Sequence, residues 1–246
     1  MPYYRKDNKK DNRKAPAKSC YQIITLGREH LEQIMELQSL ALGQLRNKEW
    51  CVYLSTDEYI DLLGEKGLVL GAVDAGELIA IYSALFPGKH HPENLGQDLN
   101  LPADELERVC HLEIAFVHPD YRGQGLYYLL GERIISTVEA GSSVRHLCGT
   151  IEPGNIPTLN NALLLGMQIV KMQNMYGGLR RFIIYRDLFQ ADDRNDKNTV
   201  PKTVTVDCND LARQQELLQS GWRGVRVIQK PEATFIVYSG FNTQGG

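Results

Sequence analysis

Paired cysteines are missing from this chain. Its five cysteines, Cys20, Cys51, Cys110, Cys148 and Cys208, stand singly, with no C-x-x-C spacing and an odd total. That argues against a disulfide framework or a cysteine zinc site and for a reducing compartment. No apolar run approaches the roughly 18 residues needed to cross a bilayer, and the polar start has no apolar h-region, so neither a membrane partner nor a secretory signal is expected. The expected location is cytoplasmic. Excess charge is missing too: the formal net charge is −3, too small for the electrostatic footprint of a nucleic-acid binder. There is no internal repeat and no low-complexity tract. The remaining composition, 43% hydrophobic and 23% charged, is that of an ordinary globular protein.

Four stretches divide the 246 residues. Residues 1–19 carry Arg5, Lys6, Lys9, Lys10, Arg13, Lys14 and Lys18 against only Asp7 and Asp11. They read as a flexible solubilising arm rather than one that grips an acidic partner. Residues 20–189 hold the main domain, 190–200 a polar linker, and 201–246 a small β-α-β-β extension. Fewer than fifty residues rarely fold alone, so the extension is expected to dock on the main domain or to support a homo-oligomer.

Within the main domain, residues 21–26 read as a strand, followed by a helix with Leu31, Ile34, Leu37, Ala41 and Leu45 on one stripe. Ser55 with Glu58 three residues on predicts a capped second helix. Residues 68–73 and 78–86 predict a hairpin turning at 74–76. Residues 87–108 form a long connection containing His90 and His91. The strand at 109–117 alternates: Cys110, Leu112, Ile114 and Phe116 predict one apolar core face, and His111, Glu113, Ala115 and Val117 the other. From Leu126 the period becomes helical through Leu130, Ile134 and Val138, with Gly141 as the stop. A strand at 146–151 then leads to a helix capped by Asn155, with Pro157 in its first turn and Gly166 at its end; Leu163, Leu164 and Leu165 are assigned to the core. Strands at 167–175 and 181–188 close the domain. Strand and helix alternating between 109 and 166 imply parallel pairing, hence a mixed α/β fold with a partly parallel central sheet flanked by helices.

The chemistry concentrates at Arg122-Gly123-Gln124-Gly125, between a strand and a helix. Glycines there let the backbone approach a ligand, and the free N–H groups of the helix start favour an anion. A Walker loop would need a Gly-Lys-Ser/Thr ending, and no lysine follows; a dinucleotide fingerprint would need a glycine where Tyr128 stands. The run from Val117 through His118, Pro119, Asp120, Tyr121 and the glycines to Leu126 resembles instead the acyl-CoA pyrophosphate loop of the GNAT superfamily, usually summarised as Gln/Arg-x-x-Gly-x-Gly/Ala. Arg122, Gly125 and Tyr127 take its three defined positions. The resemblance spans about residues 20–188 by order of elements and is specific over 109–167.

That resemblance implies acetyl-CoA as acyl donor, its pyrophosphate held by backbone N–H groups of Gly123, Gln124, Gly125, Leu126, Tyr127 and Tyr128. The pantetheine arm would lie along Ala115, Phe116 and Val117 where strands splay, with Asn155 in contact. An amine acceptor would attack the thioester directly in a ternary complex, a strand N–H steadying the oxyanion. The chain departs from the family pattern at Tyr127, where a small residue is usual; at Ala162, where many relatives place a tyrosine general acid; and at Gly166-Met167, where Gly-Phe is usual. Glu113 is the candidate base, taking the ammonium proton through water. His111 could share that task or be structural, and His118 reads as a loop residue. His90 and His91 read as loop histidines rather than metal ligands. Trp50, Tyr53 and Tyr82 are candidates to line the acceptor pocket. Two other functions keep the loop or the tail without the catalysis: an acyl-CoA-binding sensor or assembly module, and an oligomeric scaffold built on the extension.

Overall fold

Hydrophobic patterning predicts alternating strands and helices, and the computed structural model of the protein forms them in that order. The structure describes residues 21–45, 47–141, 143–190 and 202–240; the basic arm, Cys20 and linker residues 191–200 lie outside them. The elements are β1 (Gln22–Thr25), α1 (Leu31–Gly43), α2 (Thr56–Leu62), β2 (Gly67–Asp74), β3 (Glu77–Leu85), the one-turn α3 (Leu95–Asp98), β4 (Val109–Val117), α4 (Leu126–Gly141), β5 (His146–Ile151), α5 (Ile156–Leu164), β6 (Gln168–Met175) and β7 (Leu179–Asp187). The extension contributes β8 (Lys202–Asp207), α6 (Leu211–Gln219), β9 (Arg223–Gln229) and β10 (Thr234–Gly240). No described helix is long and apolar enough to cross a membrane.

The ten strands of the described residues form one sheet in the order β1-β2-β3-β4-β5-β7-β6-β9-β10-β8. Only β4 and β5 pair in parallel, because α4 carries the chain back across the sheet between them, as a parallel crossover requires. One face is covered by α1 and α2, whose Ile34, Leu37, Tyr59 and Leu62 pack with Val69, Ile81, Ile114 and Phe116. The other is covered by α4, α5 and α6. There Leu126, Leu130, Ile134 and Val138, spaced four apart, are buried to 2% exposure or less and pack with Leu159, Leu217 and Tyr238.

Local signals act as chemistry predicts. The Ser55 N–H donates to Glu58 Oε2 at 2.7 Å and Ser55 Oγ accepts from the Glu58 N–H, closing a capping box. After α5 the Met167 N–H reaches the Ala162 carbonyl at 3.1 Å and the Gly166 N–H the Leu163 carbonyl, a Schellman ending. The connection before β4 is packed: Asn94 Nδ2 donates to the carbonyls of Gly88 and Leu106, and Leu95 is 4% exposed.

Two expectations fail. Leu164 is 62% exposed, while Leu163 and Leu165 are buried; one helical residue rotates a side chain by about 100°, so three in a row cannot share a face. The single apolar face expected for β4 does not exist either. Tyr82 pairs with Ala115 and Ala84 with Leu112, so Ser83 alone faces both Glu113 and Ile114, a β-bulge. Ser83 Oγ accepts from the Ile114 N–H at 3.1 Å and donates to its carbonyl at 3.2 Å. The extra residue shifts the alternation by one: Cys110 and Leu112 face α4 and α5, whereas Ile114 and Phe116 face α1 and α2. Ala115 and Val117 thereby leave the face of His111 and Glu113 for the opposite one.

Candidate active site

The site opens where β4 and β5 part. Parallel pairing runs from Val109↔His146 to His111↔Cys148 and stops, although β4 continues to Val117 and β5 to Ile151. The divergence opens a cleft of about 1060 Å³, ample for a small-molecule substrate. On the β3 side of β4, the His118 N–H donates to the Ile79 carbonyl at 2.8 Å and the Ile114 N–H to Ser83 Oγ. Successive N–H groups of a strand point to opposite edges. Those of Ala115 and Val117 therefore point into the gap that β5 leaves.

At one end of the cleft stands the glycine loop. Gly123 has φ 77° and Gly125 φ 81°, backbone that glycine adopts without steric cost. A Cβ at either would meet nothing within 4 Å, so the space before them is open. Among the described residues, the N–H groups of Gly123, Gln124, Gly125, Leu126, Tyr127 and Tyr128 donate to no acceptor; the helical ladder begins with the Leu129 N–H on the Gly125 carbonyl at 3.0 Å. Unsatisfied donors at a helix start attract anions. Tyr121 pins the loop by donating its hydroxyl to Asp74 Oδ2 at 3.0 Å. His118 is the loop residue expected, its Nδ1 accepting from the Asp120 N–H at 3.3 Å.

At the other end are His111 and Glu113. His111 is 4% exposed. Its Nε2 accepts from the Leu95 N–H at 3.1 Å, so the ring proton sits on Nδ1 and is donated to Glu113 Oε1, 3.1 Å away. With both nitrogens engaged, His111 orients the carboxylate and has no lone pair left to act as a base. Glu113 keeps its second oxygen for the cleft, which both residues line.

Of the other residues marked in the sequence, Arg122, Gly123, Gly125, Leu126, Tyr127, Phe116 and Asn155 border the cleft. Asn155 also caps α5, Oδ1 accepting from the Thr158 N–H at 3.3 Å. Gln124 and Tyr128 do not border it; the Tyr128 hydroxyl turns to Glu132 Oε1. The Tyr127 ring stands edge-on to Tyr82 at 5.1 Å, and burial pushes its phenol up to about 12. Trp50 and Tyr82 line the cleft, whereas Tyr53 is 67% exposed outside it. Ala162 is buried in the core. His91 Nδ1 accepts from the Glu93 N–H. The structure adds Tyr176, Thr150 and Arg181. Tyr176, held at φ 50° before Gly177 and Gly178, has its hydroxyl 3.2 Å from Thr150 Oγ1. Burial chiefly, with Glu113 adding to it, holds its phenol above the ordinary range against the opposing Thr150 hydrogen bond.

No protein-family model and no curated protein matches the sequence. Solved structures do match. The ribosomal-protein-S18-alanine N-acetyltransferase of Escherichia coli superposes at TM-score 0.51 and 17% identity, covering 73% of this chain and 99% of its own. Arabidopsis thaliana NAA60, solved in complex with acetyl-CoA, gives 0.53 at 12% identity over 69% and 99%. An acetyltransferase of the GNAT family from Streptococcus pneumoniae gives 0.52 at 14% over 68% and 99%. The chain has the GNAT acetyltransferase fold. Each of these proteins is matched along nearly its whole length, while more than a quarter of this chain lies beyond the match.

Proposed function

We propose that this protein is an N-acetyltransferase that moves an acetyl group from acetyl-CoA to an amine by direct transfer in a ternary complex. One observation carries the reading: a single cleft joins the open N–H cradle at Gly123 and Gly125 to the Glu113 carboxylate, along the edge where Ala115 and Val117 are no longer paired with β5. The residues present suit the donor substrate. The loop offers anion-binding N–H groups, the splayed edge offers strand-like pairing for an amide-bearing arm, and Asn155 borders the same space. The acetyl-CoA-bound state of the NAA60 structure supports the choice of donor.

In this reading Glu113, oriented by His111, takes the ammonium proton through water. The amine nitrogen then forms its bond to the thioester carbon, the carbon–sulfur bond breaks, the thiolate takes a proton from a phenol, and the second proton leaving the acylated nitrogen restores that phenol. Tyr127 and Tyr176 are phenols held protonated at neutral pH and bordering the cleft; either replaces the acid that Ala162 cannot supply. The Ala162 position also motivates a second reading, an acyl-CoA-binding sensor.

Release of CoA from acetyl-CoA across an amine panel tests the proposal, with CoA binding measured calorimetrically on the same protein. Glu113→Gln should lower kcat about a hundredfold or more while leaving CoA affinity within about twofold. CoA binding with no turnover in either protein would select the sensor; no CoA binding would end both readings.

A further inference from the structure

Arg181 is a charge that the fold leaves unbalanced. It sits on β7 next to the β6–β7 hairpin, is 3% exposed, and borders the cleft. One Nη donates to the Glu49 carbonyl at 2.7 Å and the other to the Arg180 carbonyl at 3.1 Å. The guanidinium carbon lies 5.8 Å from the centre of the Tyr176 ring. Among the described residues no carboxylate comes within 4.0 Å of it. Three other arginines of the domain have carboxylate partners: Arg145 pairs with Asp187 at 2.9 Å, Arg108 with Glu105 at 2.9 Å and Arg186 with Glu139 at 3.0 Å. A guanidinium has five N–H donors, and Arg181 spends two of them, both on neutral carbonyls. Burying a full charge that way is costly, and the cost is recovered when an anion completes the pair.

We infer that Arg181 receives a carboxylate of the acceptor, so that the substrate is an amine that also carries a carboxylate. The inference rests on the acetyl-transfer reading for the amine end, where Glu113 stands. A carboxylate fits better than a phosphate. Glu58, Asp61, Glu93 and Glu113 border the same cleft against Lys66, Arg122 and Arg181, so the lining offers a dianion no net positive charge, whereas a planar monoanion matches the guanidinium fork. Between β4, which carries Glu113, and β7, which carries Arg181, lies β5. Two strand spacings amount to about 10 Å, and the parting of β4 and β5 beyond His111 makes the distance larger, so the separation of amine and carboxylate in the acceptor is itself a selected property.

The test uses the full chain with saturating CoA and titrates β-alanine, aminobutyrate and aminohexanoate calorimetrically, each against its own carboxamide. At least one carboxylate should bind about tenfold or more tighter than its carboxamide. That ratio should fall to about one in Arg181→Gln and recover in part in Arg181→Lys, which keeps the charge but not the fork. The same pairs compared by kcat/KM should show the same ordering. A wild-type ratio of about one for every pair overturns the inference, as does a ratio that survives Arg181→Gln. If Arg181→Gln does not fold, the wild-type ratio and its reduction in Arg181→Lys decide. Absence of CoA binding would defeat the acetyl-transfer reading instead, and the carboxylate ratio, measured then without CoA, would still judge Arg181.

Discussion

His111 and Glu113 sit two residues apart on one strand face, and that spacing alone makes them neighbours. What separates their roles is the Leu95 N–H, which occupies the Nε2 lone pair and so fixes the tautomer. The carboxylate is left as the only basic group of the pair with an open oxygen. The glycine loop shows the same division between type and placement. Gly125 at φ 81° sits in left-handed backbone at the start of α4, where its own N–H and those that follow have no acceptor among the described residues. Gly125→Ala meets no steric neighbour but should strain that backbone by about 1–2 kcal/mol. Relief of the strain turns the donors away, so CoA affinity should fall about tenfold or more by calorimetry. An unchanged affinity would mean that the loop is not the phosphate cradle.

At the scale of elements, the packed connection before β4 is tied to the sheet by an ionic network at the end opposite the glycine loop. Glu105 Oε2 lies 2.8 Å from His146 Nε2, His146 Nδ1 lies 2.9 Å from the Tyr185 hydroxyl, and Arg108 and Arg145 both approach Glu105. The His146 hydrogen bond, aided by the two arginines, holds the Glu105 carboxyl below its ordinary 4.5. Asp187 is likewise held low: burial pushes it up, but the hydrogen bonds from Arg145 outweigh that. Depressed carboxyls stabilise the fold while ionised, so their contribution is fully present above pH 4.5 and is lost as the pH falls through the folded-state values. Thermal melts should show a Tm that is level from neutral pH down to about 5 and declines below it. Glu105→Gln should lower the neutral Tm and flatten the acid decline. An equally steep decline in the variant would place the acid sensitivity elsewhere.

For the whole molecule, the question is how the extension is joined. Only Ile169↔Gly224 pairs β6 with β9, so the ladder contributes little there. The joint depends on side chains: Val206, Leu217, Leu218, Ile236 and Tyr238 belong to the same buried cluster as Leu159 and Ile169. It also depends on Gly224, because a Cβ there would stand 2.6 Å from Ile169 Cδ1 and 3.0 Å from its Cβ. Gly224→Val should therefore destabilise by about 1–3 kcal/mol through overpacking. With one shared core, urea unfolding should remain a single transition shifted to lower midpoint. Two separated transitions would show that the extension is an independent unit.

Periodicity and turn chemistry in the sequence determined the elements: α4 from its fourfold leucine and isoleucine spacing, the α2 cap from Ser55 and Glu58, the loop from two glycines between a strand and a helix. These are local properties, set by neighbours along the chain. The tertiary structure decided what depends on partners far away in sequence. The bulge in β4 exists because Ser83 on another strand satisfies both backbone groups of Ile114, and no alternation within 109–117 could announce it. Leu95 reaches His111 across sixteen residues, so the sequence, which already favoured Glu113, could not show that both nitrogens of His111 are engaged. Arg181 reads in sequence as one more charge in a strand. Its burial without a carboxylate partner among the described residues, against the cleft, appears only when β7 is placed beside β5 and the Glu49 carbonyl arrives to meet it.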